Sequence, residues 1–374
     1  MPHLNDFRNP DVASHLLARI GKLAREPLRV MEICGGHTHA IFRFGLQQVL
    51  PPQIEWLHGP GCPVCVTPVV KFDKAIALAH RPNTIVAAYG DLLRVPGRES
   101  TLLRERAEGG DVRVVYSSMD AVSIALQNPH KNVVFFAVGF ETTAPANAFS
   151  ILAAKERHLE NFTMLANHVL VPPVIRALLE DSRLKIDAFL GPGHVSAVVG
   201  SQEYEFIARE YGRPVVVSGF ELNDILQSIL MILTQRDEGR CDVEVEYARA
   251  VRDAGNAKAK AVIADVFERQ DQEWRGLGII ADSGLRIKHE LSEYDAEIRF
   301  ADFLRDISPP PPPKGCICAA ILKGQKRPFD CPSFASSCTP ERPLGACMVS
   351  SEGACAAYYS YRQQPLIQGG TYDE

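Results

Sequence analysis

Between residues 28 and 234 the chain alternates short apolar or β-branched runs with amphipathic stretches, and most of the runs end on Gly, Pro or Ser/Thr. Such an alternation predicts βα units, because parallel strands are joined by crossovers long enough to hold a helix. The runs Leu28–Ile33, Ile54–Leu57, Thr84–Ala88, Val112–Tyr116, Val133–Val138, Thr163–Ala166, Ile186–Leu190 and Pro214–Val217 read as strands. Farther on, the polar stretch from about Glu246 to Gln270 predicts a long helix, and the five prolines Pro309–Pro313 predict an extended spacer. The tail beyond them is loop-rich and too poor in apolar residues to build a core of its own, a deficit that a bound metal makes good.

An internal echo suggests how to divide the strands. His58-Gly59-Pro60-Gly61-Cys62 is matched by Leu190-Gly191-Pro192-Gly193-His194. Tyr89-Gly90-Asp91-Leu92 resembles Ser218-Gly219-Phe220-Glu221, and Glu32–Thr38 has a weaker counterpart in Ala137–Thr143. On this reading residues 1–120 and 121–236 are two related α/β domains, and residues 237–374 hold a helical linker and a small cysteine-rich domain.

At 374 residues the chain has material for more than one core, and 46% hydrophobic with 23% charged residues is ordinary for a globular protein. A net charge of −5 offers no general footprint for nucleic acid. The start of the chain lacks a charged segment followed by an apolar one, and no stretch has the length of a membrane span, so a cytoplasmic protein is expected. That location changes the meaning of its ten cysteines. Reducing conditions disfavour structural disulfides, leaving metal ligation or redox chemistry.

Six of the ten, Cys316, Cys318, Cys331, Cys338, Cys347 and Cys355, crowd the tail. Four thiolates can hold an iron–sulfur cubane or a structural zinc ion, and the spacing alone does not choose among the six or between the metals. Earlier, Gly61-Cys62-Pro63-Val64-Cys65-Val66-Thr67-Pro68 places a Cys-x-x-Cys on a strand-to-helix turn. Thr67 is suited to cap the following helix, whose positive end would activate a dithiol. Cys34-Gly-Gly-His37-Thr-His39 follows a buried strand, so its thiol emerges at the carboxyl end of a sheet, where open α/β folds bind ligands. His37 and His39 read either as ligands or as packing residues, and His194 takes the place of Cys62 in the second echo. Glu141, in Gly139-Phe-Glu-Thr-Thr143, is a candidate acid or base at another strand end. Cys241 has no partner in sequence.

In their order along the chain, these motifs and the ending Cys347-Met-Val-Ser-Ser-Glu-Gly-Ala-Cys355 closely resemble the hydrogenase maturation factor HypD family. The resemblance implies a [4Fe-4S] cluster on Cys316, Cys331, Cys338 and Cys355, in a domain similar to that of ferredoxin:thioredoxin reductase. The expected architecture is then α/β, with two related parallel-sheet domains and a smaller C-terminal [4Fe-4S] domain. It further implies a stable complex with HypC, cyanide donation by HypE, and indirect delivery through HypC to the hydrogenase large subunit. The assembled group is a transient Fe(CN)2CO moiety. Cys34 would be its iron ligand, Cys62 and Cys65 a redox dithiol, and His37, His39, Glu141 and His194 pocket residues. Such a protein is a redox-active assembly scaffold rather than a conventional metabolic enzyme. The rival from another class is a cluster-dependent thiol–disulfide oxidoreductase acting on protein partners, and a zinc-stabilised binding module is the blander one.

Overall fold

Eleven strands form in the computed structural model, which describes residues 7–309 and 315–361. In chain order they are β1 (Leu28–Glu32), β2 (Ile54–His58), β3 (Thr84–Ala88), β4 (Val112–Val114), β5 (Asn132–Gly139), β6 (Phe162–Val169), β7 (Ala188–Pro192), β8 (Val215–Ser218), β9 (Val243–Val245), β10 (Phe267–Trp274) and β11 (Gly278–Ile287). The first eight coincide with the expected runs. Each of β3, β5 and β8 is buried almost throughout, which explains why they read as unbroken apolar runs.

Two sheets result, in the orders β2-β1-β7-β8-β9 and β10-β11-β6-β5-β3-β4. The first is parallel throughout, with Leu28 opposite Ile54 and Glu32 opposite both His58 and Leu190. In the second, β3 to β6 are parallel, and the hairpin of β10 and β11 is antiparallel.

Neither sheet follows the expected order along the chain. A cut at residue 120 separates β4 from β5, although both belong to the second sheet, and the first sheet is completed only when the chain returns at β7. Both Gly-Pro-Gly turns consequently lie on one sheet, after β2 and within the end of β7. Strand-to-helix turns favour Gly and Pro wherever they occur, and the two copies of the echo stand on either side of β1.

The expected polar helix shrinks to Ala257–Val266, where the Asn256 side chain accepts from the Ala259 amide at 3.1 Å. The chain then enters β10, with Phe267 and Trp274 inward and Glu268, Asp271 and Glu273 on the outer side. Charges on that outer face hid the strand period. Of the expected proline spacer, Pro310–Pro313 lie outside the described residues. Among the described residues no helix is long and apolar enough to cross a membrane.

One core unites the two sheets. Met31, Ile33, Phe189 and Val217 from the first join Val86, Phe136, Leu165 and Val169 from the second. Smaller cores cover the outer faces, one of them packing helix Pro10–Leu23 and helix Leu222–Asp237 on the first sheet. Residues 315–361 have no separate core. They insert Ile321, Leu322, Met348 and Val349 into the shared one.

Candidate functional site

The order β2-β1-β7 puts the turn after β1, which carries Cys34, between the two Gly-Pro-Gly turns. Cys34 occupies the N-cap of helix Gly35–Arg43, and its amide donates to the Glu32 carboxylate at 2.9 Å. The Gly35 amide donates to the Gly61 carbonyl at 2.8 Å. Here the sequence needs glycine: a Cβ on Gly61 would overlap the Cys34 backbone. The thiol is buried. Burial, with the Glu352 and Glu32 carboxylates nearby, pushes Cys34 up to about 12, so the free side chain is a protonated thiol at neutral pH.

Glu32 organises this turn and was not singled out from sequence. Fully buried, it accepts from the Cys34 amide, from the Thr38 hydroxyl and from His58 Nδ1, the last at 2.9 Å. The available signal was a carboxylate closing a strand run whose other charge is Arg29, in a place where an unpaired charge is costly. Thr38, in the helix Gly35–Arg43, spends its hydroxyl on Glu32.

Cys62 and Cys65 are joined as a disulfide. Cys62 caps the short helix Pro63–Val66, its sulfur accepting from the Cys65 amide at 3.2 Å. Thr67 ends that helix rather than starting the next: its hydroxyl donates to the Pro63 carbonyl at 2.8 Å and accepts from Asn167 at 3.0 Å. The following helix, Val69–His80, has Pro68 at its N-cap and no side-chain cap.

The histidines divide by role. His37 turns inward, with Nε2 at 3.0 Å from the Gly219 carbonyl and the ring stacked on Phe220 at 4.5 Å. Burial draws it down to about 4, which makes it a neutral packing residue that ties the helix to the end of β8. By contrast His39 and His194 line a cavity of about 460 Å³ beside Gly36, together with Arg43, Phe220 and Arg249. His194 stacks on the other face of Phe220 at 3.8 Å, and His39 Nε2 lies 3.1 Å from the Tyr361 hydroxyl. Glu141 belongs elsewhere. It lines a cavity of about 230 Å³ with Val199, Phe267 and Arg269, and its Oε1 accepts from the Val171 amide at 2.9 Å. Burial pushes it up to about 7.

The tail closes over the first sheet. Glu352 packs directly on Gly35, and helix Ala354–Tyr361 lies against helix Gly35–Arg43. Cys355, raised by burial, is also within electrostatic reach of Cys316, Cys318, Cys338 and Cys331. Cys318 is within hydrogen-bonding reach of both Cys316 and Cys347. Among the described residues no three His, Cys, Asp or Glu side chains are gathered tightly enough to hold a single metal ion. Cys241 stays exposed and apart, its thiol donating to the Gly212 carbonyl at 3.3 Å.

Comparison with known proteins decides the family. Residues 11–362 match the HypD profile, described as the hydrogenase formation hypA family. The chain belongs to the HypD family. Hydrogenase maturation factor HypD of Rhodobacter capsulatus is 49% identical over 370 residues, covering 96% of this chain and 98% of that one. Its namesake in Escherichia coli K12 is 46% identical over 372 residues, covering 97% and 99%. The HypD of Cupriavidus necator is 48% identical over 380 residues, covering 98% and 100%. Every cysteine and histidine of this site falls inside the matched span. One further residue within it had no signal in the sequence: Arg275, in the β10–β11 turn, donates from its amide to the Val66 carbonyl and from Nε to the Thr67 carbonyl, both at 2.7 Å.

Proposed function

We propose that this hydrogenase maturation factor is the scaffold on which an Fe(CN)2CO moiety is assembled together with HypC, with Cys34 as the chain's ligand to the iron. The observation that carries the reading is the convergence at the carboxyl edge of the first sheet. Cys34, the Cys62–Cys65 turn and the cavity lined by His39 and His194 meet there, under the cysteine-rich tail. A protonated, buried thiol suits a cargo ligand: it is inert until a metal displaces its proton, and as a thiolate it is an electron-rich donor for low-spin iron. The iron and its diatomic ligands are cargo: HypE supplies the cyanide, and the assembled group passes through HypC to the hydrogenase large subunit.

The tail suits a resident [4Fe-4S] cluster in its donor set. Cys316, Cys331, Cys338 and Cys355 would hold it, since all four are soft donors and Cys355 and Cys338 each lie in electrostatic reach of both Cys316 and Cys331. When bound, such a cluster supplies electrons one at a time. The protein's own part is to keep the tail beside a disulfide: helix Pro63–Val66 packs on the turn Ala346–Met348, which carries Cys347.

Infrared spectroscopy in the carbon monoxide and cyanide stretching region tests the reading, on protein made anaerobically with HypC and HypE. Diatomic bands present in the native complex and lost in Cys34→Ala are expected. Bands that survive Cys34→Ala would overturn the ligand assignment. Their absence from a native complex with an intact cluster would favour the second reading, a thiol–disulfide oxidoreductase acting on protein partners. The disulfide between Cys62 and Cys65 is the observation on that side.

A further inference from the structure

The turn between β10 and β11 touches both thiol-bearing segments at once. Arg275 is pinned by its two 2.7 Å hydrogen bonds to the carbonyls of Val66 and Thr67, immediately after Cys65. Its neighbour Gly276, at φ +80, packs so closely on helix Cys318–Leu322 that a Cβ would come 2.7 Å from Ala319 Cα. Only glycine combines that backbone with that approach. The guanidinium lies over the Phe72 ring, with Cζ 5.6 Å from the centroid. One of its nitrogens, Nη2, is shut away from solvent and has no hydrogen-bond partner. The titratable groups in electrostatic reach of the guanidinium are Cys318, Cys347, Cys316 and Asp73.

A buried N–H donor without an acceptor needs a reason. Neutral thiols and a disulfide are poor acceptors, whereas sulfur anions are good ones, and a guanidinium cation favours the negative charge as well. An arginine fits this place better than a lysine: Nε can serve the Thr67 carbonyl while Nη2 points elsewhere.

We propose that Arg275 is a positioning residue for the thiol chemistry, holding the tail's cysteines against the Cys62–Cys65 turn and stabilising the sulfur anions formed when that disulfide is reduced. The inference rests on the reading that Cys62 and Cys65 are redox-active. In the reduction, two glutathione thiolates deliver an electron pair. The Cys62–Cys65 bond breaks to give two protein thiolates, and one glutathione disulfide forms.

The test is the position of this equilibrium in the purified full chain, in glutathione buffers at fixed pH, read by mass spectrometry after alkylation. Arg275→Gln is expected to move it about tenfold toward the disulfide, or about 30 mV for a two-electron couple. Arg275→Lys, which keeps the charge but not the second nitrogen, should lie closer to the native value. An equilibrium within twofold of native in a folded Arg275→Gln protein would overturn the proposal, and so would a Lys variant no closer than the Gln one. Should Arg275→Gln fail to fold, the native protein decides. Its Arg275 Nε–H resonance, identified by its loss in Arg275→Lys, should move on reduction, and a stationary resonance would overturn the proposal. Neither readout involves iron, cyanide or HypC, so a failure of the scaffold reading is seen separately, in the infrared bands.

Discussion

Glu32 shows how much of a site can rest on one side chain that carries no motif. It satisfies three donors, on Cys34, Thr38 and His58, inside a fully buried pocket. Glu32→Leu leaves them unpaired, at about 1–3 kcal/mol for each buried donor that finds no new partner. Urea unfolding should therefore show a loss of roughly 3 kcal/mol or more, while Glu32→Gln, which keeps acceptor capacity, should lose less. Glu141 offers a titration instead. Its folded-state value of about 7 stands above the ordinary 4.5, so the unfolded chain releases its proton first as pH rises. The contribution of Glu141 to stability is complete below about 4.5 and falls through the window up to about 7. Relative to Glu141→Gln, the native protein should lose up to about 3 kcal/mol across that window, at 1.36 kcal/mol per unit. A difference between the two proteins that does not change with pH would remove the cause assigned to this shift. The cysteines were legible in the sequence because their chemistry is rare. Glu32, His58 and Arg275 were not, because ordinary residues acquire a role only from the neighbours the fold gives them.

Among the elements, parallel strands were the easiest to read, since burial on both faces makes them apolar from end to end. The β10–β11 hairpin was missed for the opposite reason: one face is wet, and the adjacent charges Glu268 and Arg269 and a register shift between Gln270 and Gln272 break the alternation that marks a strand. At helix Gly35–Arg43 the packing is close enough to test. A Cβ on Gly35 would overlap both the side chain and the carbonyl of Glu352. Gly35→Ala should therefore lift the tail without disturbing the sheet. Hydrogen exchange is expected to speed up at least tenfold in helix Ala354–Tyr361 and to stay slow in β1. Unchanged exchange in that helix would mean that the tail is held by its core residues and not by its contact with this turn.

Seen whole, the molecule interleaves its two sheets along the chain, and sequence order gave no hint of it because a strand's pattern does not name its partner. The first 120 residues contain β1 to β4 but lack β7, β5 and most of the shared core. Expressed alone, residues 1–120 should show no cooperative unfolding transition by circular dichroism. A sharp one would make them an independent domain after all. The interleaving also sets a timetable. On the ribosome β2 is finished long before β7 exists, and at roughly 5–20 residues per second the interval is on the order of ten seconds. Through that interval Cys34, Cys62 and Cys65 are displayed on a nascent chain whose sheet cannot close. Stalled chains ending before Ala188 should be alkylated quickly at Cys34, and chains extended well past Ser218 should be protected. The birth of this protein is then the moment when its thiols are open to stray oxidants and metals.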